Sequence, residues 1–140
     1  MRQWRLSDYM LSVVACLMTF VMIEFLIPDN TEENDMVEPR IEMLYGTIPK
    51  TTKRPYFAYG TLTSADVMLM WAGDAEFVGL AKLYGFSRDS LLRIEEDRAG
   101  VVTGVLWLLS PTDEISLDVY EGVAGGLYEK IEVDGVLIYY

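Results

Sequence analysis

The sequence predicts an α+β domain: a small mixed β-sheet or barrel with two short helices, preceded by an N-terminal hydrophobic helix. Three observations carry this prediction. Residues 56–140 contain several strand-like segments separated by glycine turns. Two stretches within this region combine a capping residue with helical spacing of apolar side chains. A nearly unbroken apolar run over residues 9–27 stands apart from both. Runs of strands with a few helices indicate the α+β class.

Size and composition limit the function classes. A chain of 140 residues forms one domain with at most a short appendage. The net charge of −11 argues against nucleic acid as a partner, because little in the chain would neutralise phosphates. The absence of histidine excludes a Ser-His-Asp triad and a histidine-ligated metal. The single cysteine, Cys16, cannot form an intrachain disulfide or a cysteine zinc site.

The apolar run follows a polar tail, residues 1–8, that contains Arg2 and Arg5. About 20 apolar residues cross a hydrocarbon core as a helix, and residues 9–27 have that length. We therefore predict a single-pass membrane anchor that localises the protein to a membrane. The arginines favour a cytoplasmic N-terminus, but two positive charges leave the orientation open.

Two alternatives to the anchor stay open. A secretory signal peptide needs a small-residue cleavage site, and the bulky residues 23–27 do not offer one. A packed or partner-binding helix would suit Glu24, a residue that is costly in lipid unless it is paired or lies near the headgroups. Glu24 is about one turn from the end of the run. An acidic side chain inside a membrane-spanning segment often pairs with another protein, so a membrane protein is also a candidate partner.

Residues 28–55 are predicted to form an acidic linker, because prolines and acids are frequent and apolar spacing is poor except at Ile41 to Leu44. We expect mostly irregular chain here, with room for one short helix. The globular domain is then residues 56–140. Its first strand, Tyr56 to Tyr59, enters a glycine turn, and Ser64 caps a short helix over residues 65–71.

The middle of the domain is predicted to be mainly strand. Residues 75–83 alternate in polarity, residues 90–94 form a weaker candidate strand, and residues 95–98 are charged like a solvated loop. Residues 101–109 are apolar enough for a buried strand, with Gly104 as a candidate bulge.

The C-terminal part combines a helix and a hairpin. Ser110 and Pro111 are typical of a helix start, and Gly122 ends the helix. The candidate core residues of this helix are Ile115, Leu117 and Tyr120. Residues 128–133 and 135–140 then form a hairpin about Asp134-Gly135, a strong signal for a two-residue turn.

Two motifs carry a family resemblance. They are Phe57-Ala58-Tyr59-Gly60-Thr61-Leu62 and Leu117-Asp118-Val119-Tyr120-Glu121-Gly122-Val123, with Tyr128 shortly after the second. In this order and spacing they resemble the gamma-glutamylcyclotransferase-like superfamily, which includes the gamma-glutamylamine cyclotransferases. The segments 77–86 and 102–109 resemble the strands of that family. The resemblance covers residues 56–140.

The resemblance implies an enzyme that releases 5-oxoproline and an amine from a small gamma-glutamyl compound, without a cofactor. It implies that Glu121 is the catalytic acid and base. It places the substrate against Tyr59, Gly60, Thr61, Leu62 and Tyr128. Glutathione is one candidate substrate among several gamma-glutamyl compounds. A carboxylate with a pKa near neutrality can move both protons that this reaction requires.

Two departures from the family pattern support an alternative function. Residues 63–66 lack the basic or asparagine residue that often follows the turn, and the chain ends at Tyr140 without a further segment to wall the pocket. The alternative is a non-catalytic, membrane-anchored binding or regulatory module on the same fold. In that case Glu121 is a solvated residue at a helix end. A third interpretation makes the anchor itself the functional element.

Overall fold

The computed structural model describes residues 38–140, which form one compact unit. The strands are β1 (Arg40–Met43), β2 (Arg54–Ala58), β3 (Glu76–Arg88), β4 (Ile94–Leu109), β5 (Lys130–Val133) and β6 (Val136–Tyr139). The helices are α1 (Ala65–Trp71) and α2 (Pro111–Tyr120), with short 3₁₀ helices at Thr61–Thr63 and Val123–Gly125. The predicted N-terminal tail and hydrophobic helix lie outside the described residues. Within residues 38–140, no helix is long and apolar enough to cross a membrane.

The six strands form one sheet in the order β1-β3-β4-β2-β6-β5. All neighbours are antiparallel except β2 and β6, which are parallel, so the predicted mixed sheet is confirmed. The long hairpin of β3 and β4 dominates the sheet. The β5–β6 hairpin turns at Asp134 and Gly135, whose φ angles of 52° and 76° give the two-residue turn that the sequence predicted.

Alternating residues of the strands divide the core between the two faces of the sheet. The helix-packed face carries the strand residues that pack with Met68 and Ala72 of α1 and Leu117 of α2. Its strand residues are Tyr56, Ala58, Val105, Trp107, Leu109, Leu137 and Tyr139. The strand-only face has no helical residue in its buried cluster, which consists of Phe57, Tyr59, Ala81, Leu83, Phe86, Ile94, Val102, Leu106, Val133, Val136 and Ile138.

Gly104 allows a close approach inside the sheet and is not the bulge that the sequence suggested. A Cβ at this position would lie 2.2 Å from the carbonyl oxygen of Ala58 and 2.6 Å from the ring of Phe57. Gly104 pairs regularly with Ala81, and the register shifts occur elsewhere, between Phe77 and Gly79 and between Tyr84 and Phe86. Glycine is needed here because a side chain would collide with backbone that cannot easily move.

The predicted linker contributes a strand to the sheet. Residues 40–43 form β1 and pair with β3, with Ile41 opposite Leu83, where irregular chain or a short helix was expected. Ile41 and Met43 are partly buried against the strand-only face, which explains their alternation. Four residues are too few to distinguish a strand from one helical turn by periodicity. The compact unit therefore begins before residue 56.

The prediction for residues 90–98 was wrong in both halves. Residues 90–93 form the turn between β3 and β4, and the charged residues 95–98 belong to β4. The carboxylate of Asp89 makes the turn, because it accepts hydrogen bonds of 2.8 Å from the backbone amides two and four residues later. Leu92 has a φ of 64°, unusual for a leucine.

Helix α2 follows the predicted start and end. Ser110 and Asp113 form a capping box in which each side chain accepts a hydrogen bond from the other residue's backbone amide, at 3.2 and 3.1 Å. Gly122 ends the helix with a φ of 65°. Leu117 is buried as predicted, but Ile115 is 66% exposed and was wrongly placed in the core. The amphipathic spacing of so short a helix does not fix which edge of the apolar stripe faces inward.

Candidate functional site

A cavity of about 220 Å³ lies where the end of β2, the 3₁₀ turn after it, the end of α2 and the β3–β4 turn meet. All six site residues predicted from the sequence line it: Tyr59, Gly60, Thr61, Leu62, Glu121 and Tyr128. They come from two distant parts of the chain, residues 59–62 and residues 121–128, and the pairing of β2 with β4 and β6 brings these parts together. The geometry places these residues around one space, while their roles stay predictions.

Glu121 is the acid of this cavity. It follows the last residue of α2, and its backbone amide donates to the carbonyl of Leu117 at 2.8 Å, which fixes the residue to the helix end. Its side chain is half-buried, and this burial raises the pKa of the Glu121 carboxyl from 4.5 to about 6. The carbonyl end of a helix dipole also disfavours negative charge. The carboxyl group can therefore take up and release a proton near neutral pH.

The 3₁₀ turn after β2 is fixed by side chains as well as by its own backbone. The carbonyl of Gly60 accepts hydrogen bonds from the backbone amide of Thr63 at 3.1 Å and from the Thr63 hydroxyl at 2.7 Å. The Thr61 hydroxyl is 2.7 Å from the hydroxyl of Tyr120 in α2. The buried Trp107 donates its Nε1 proton to the carbonyl of Leu62 at 3.1 Å. The turn is consequently tied both to the helix and to the core.

Gly60 leaves open space at the cavity. A Cβ at this position would meet no atom within 4 Å. The packing of the described residues therefore does not require a glycine here. A side chain at position 60 would instead reduce the space beside the turn, so glycine at this position suits close approach of a ligand to the backbone.

Two of the four tyrosines that line the cavity, Tyr59 and Tyr139, are held by hydrogen bonds within the protein. Tyr59 donates its hydroxyl proton to the carbonyl of Tyr139 at 2.7 Å, and Tyr139 donates its own to the carboxylate of Asp118 at 2.7 Å. Burial is the main cause that raises the pKa of Tyr56, Tyr59 and Tyr139, and the negative charge of Glu121 acts in the same direction. These hydroxyls therefore stay neutral and do not act as bases.

Sequence reasoning missed four residues that also line the cavity: Tyr56, Leu91, Leu92 and Tyr139. Tyr56 directly precedes the first motif, and Tyr139 lies two residues after Leu137, the partner of Tyr56 in β6. The last strand is apolar or aromatic and buried throughout, so its sequence did not mark Tyr139 as a cavity residue. The leucines were assigned to a weak strand, and nothing in their sequence context indicated a turn at the cavity.

Tyr128 lies at the side of the cavity near the β3–β4 turn. It is half-buried, and the guanidinium of Arg93 lies over its ring at 4.9 Å from the centroid. This cation–π contact joins the end of the turn to the segment between α2 and β5. Within residues 38–140, no three acidic or cysteine side chains are grouped so as to hold a metal ion.

Comparisons with known proteins agree with this architecture. Residues 56–137 match the family model described as gamma-glutamyl cyclotransferase, AIG2-like. A solved structure named gamma-glutamyl cyclotransferase superposes with a TM-score of 0.56 and 24% identity, covering 62% of this chain and 65% of the other. A structure of an uncharacterized protein from Homo sapiens gives 0.55 and 26%, covering 64% and 66%. The chain thus spans about two thirds of the length of these structures. No curated protein sequence matches.

Proposed function

Since the chain belongs to the gamma-glutamyl cyclotransferase, AIG2-like family, we propose that it releases 5-oxoproline and an amine from a small gamma-glutamyl compound. In this proposal Glu121 is the general base and then the general acid. The observation that carries it is the half-buried Glu121 carboxyl, whose pKa is raised to about 6, in the same cavity as the Tyr59–Leu62 turn.

The reaction is intramolecular and balances without a co-reactant. The Glu121 carboxylate takes a proton from the α-ammonium group of the substrate. The free amine attacks the γ-carbonyl carbon, so a C–N bond forms and a five-membered ring closes. The protonated Glu121 then gives its proton to the nitrogen of the leaving amine as the original amide C–N bond breaks. The Glu121 carboxylate next takes the second proton from the positively charged ring nitrogen and passes it to the released amine, which departs as an ammonium ion. Glu121 is then again a carboxylate, ready for the next substrate.

The turn after β2 offers hydrogen-bond donors for the oxyanion that forms during ring closure. The amides of Thr61 and Leu62 belong to the first turn of a 3₁₀ helix, where backbone N–H groups have no acceptor within the helix. Donors held in place before the reaction stabilise developing charge most effectively. The hydrogen bonds from Trp107 and between Thr61 and Tyr120 supply that rigidity.

The test is release of 5-oxoproline by the full-length chain from a panel of gamma-glutamyl amines, gamma-glutamyl dipeptides and glutathione. Glu121→Gln keeps the size of the side chain but removes its ability to accept a proton, so we expect kcat to fall by about 10²–10⁴-fold. Glu96→Gln makes the same change at an exposed position on β4 and should leave kcat unchanged. Equal turnover by wild type and Glu121→Gln would overturn the proposed role.

A folded chain that binds gamma-glutamyl compounds without turnover would instead favour the binding module. The membrane anchor at residues 9–27 also remains a proposal, since it rests on the sequence alone. Its measurement is separate from activity. We expect the full-length chain to stay with membranes after an alkaline wash, and release into the supernatant would contradict the anchor.

A further inference from the structure

Two apolar side chains of the β3–β4 turn are part of the cavity lining. They belong to Leu91 and Leu92, which are 77% and 62% exposed. Glu121, the tyrosines and the Tyr59–Leu62 turn supply the polar part. Single exposed leucines are common on protein surfaces. A ligand that covers two adjacent leucines at the border of a cavity gains binding free energy, because apolar surface is removed from water.

The turn holds these leucines in a defined position. The carboxylate of Asp89 accepts hydrogen bonds from the amides of Leu91 and Arg93, both at 2.8 Å. The amide of Leu92 donates to the carbonyl of Asp89 at 3.2 Å. Beyond the turn, the Arg93 guanidinium lies over the ring of Tyr128, which itself lines the cavity. The hydrogen bonds of Asp89 and the contact of Arg93 with Tyr128 therefore hold the turn that carries the leucines beside the cavity.

Leu92 adopts its position at a conformational cost. Its φ of 64° is a left-handed conformation that asparagine and glycine adopt more readily than leucine. A residue suited to the backbone alone would be asparagine or glycine. Backbone strain of this kind is found where a side chain is needed in a particular place. The strained backbone of Leu92 and its position in the cavity lining therefore both indicate that its side chain has a role at the cavity.

We propose that Leu91 and Leu92 form the subsite for the leaving amine, and that this subsite selects gamma-glutamyl compounds whose leaving amine carries an apolar side chain. The inference rests on the proposed function. The gamma-glutamyl half of every such substrate carries an ammonium, a carboxylate and the reacting carbonyl, which require the polar part of the cavity. The leucines cannot recognise any of these groups, so the half that they contact is the leaving amine.

The test compares gamma-glutamyl-leucine with gamma-glutamyl-glycine, which differ only in the isobutyl group of the leaving amino acid. With the full-length wild type we expect about tenfold higher kcat/KM for the leucine compound. Leu92→Asn removes the apolar side chain and suits the left-handed backbone, so the protein should fold at least as well while the preference disappears. Leu69→Asn, the same change at an exposed position on α1 outside the cavity lining, should keep the preference.

Binding of the same two compounds to Glu121→Gln, measured by titration calorimetry, separates this proposal from the proposed function. Turnover of both compounds at equal kcat/KM would overturn the apolar subsite and leave the cyclotransferase in place. No turnover, together with tighter binding of the leucine compound that Leu92→Asn abolishes, would support the subsite and overturn the enzyme. Neither turnover nor preferential binding would overturn both.

Discussion

The two faces of the sheet use the same strands for different purposes. On the strand-only face, the buried cluster is apolar except for Tyr59, whose hydroxyl is paired within the protein. On the helix-packed face, Tyr56, Trp107 and Tyr139 are buried among aliphatic residues and carry polar atoms towards α2 and the turn. The cavity takes Tyr56 and Tyr139 from the helix-packed face and only Tyr59 from the strand-only cluster. Alternation along the strands thus leaves most of the strand-only cluster to stabilise the fold.

Two glycines show the same division at closer range. Gly104 lies on β4 at a position where any side chain would meet the backbone of β2, whereas Gly60 at the end of β2 has open space beside it. The first glycine is required by packing. Packing in the described residues does not require the second, which leaves open space at the cavity. Substitutions at the two positions should therefore separate stability from activity.

The largest effect is expected at Gly104. Gly104→Ala places a methyl group 2.2 Å from the carbonyl oxygen of Ala58, so the β2–β4 pairing must shift. We expect the free energy of unfolding to fall by about 3 kcal/mol, measured by urea denaturation followed by circular dichroism. A change smaller than about 1 kcal/mol would mean that the sheet relaxes around the methyl group and that the close approach is not a constraint.

A smaller effect is expected from the charge of Glu121. Its pKa is 4.5 in the unfolded chain and about 6 in the fold, so the folded protein binds more protons between these values. Stability therefore falls as the pH rises through this window. Because water partly screens the half-exposed carboxylate, we expect Glu121→Gln to be more stable than wild type by about 1 kcal/mol at pH 7. The difference should vanish at pH 4, and its persistence there would show another cause.

The smallest effect on stability is expected at Gly60. Gly60→Ala should change the free energy of unfolding by less than about 0.5 kcal/mol, because the new methyl group meets no atom within 4 Å. If the turn binds substrate, kcat/KM should nevertheless fall by about tenfold, since the methyl group enters the space beside the turn amides. Unchanged kinetics would remove the turn from the substrate site.

The sequence identified those parts of the molecule where local chemistry and tertiary packing agree. Ser110, Asp113 and Gly122 bound α2 by capping alone, and the Asp134-Gly135 turn makes its hairpin by its own φ angles. The two motifs likewise predicted residues that lie around one cavity. The helix caps and the hairpin turn depend on contacts within a few residues, and the two motifs depend on a family pattern. None of these predictions requires knowledge of distant packing.

The errors occurred where distant contacts decide the structure. Residues 40–43 become a strand because β3 offers them an edge, and residues 95–98 are strand because β4 continues its pairing with β3 there, with Glu96 opposite Phe86. The leucines at the cavity could not be predicted, because their position depends on hydrogen bonds to Asp89 and on where the hairpin ends. Local propensity carries no information about such partners.

The hydrogen bond from the backbone amide of Ile41 to the carboxylate of Asp134, at 2.9 Å, has a consequence for self-association. An open sheet has two edges whose unpaired amides can template pairing with another chain. Here an acid from the β5–β6 turn covers an amide of the β1 edge, and β1 in turn covers the edge of β3. Removing β1 would expose the backbone of β3 beside the buried Ala81 and Leu83. A shortened chain that begins at residue 50 or 56 would therefore carry an aggregation-prone edge, and one meant to stay monomeric should begin before Arg40.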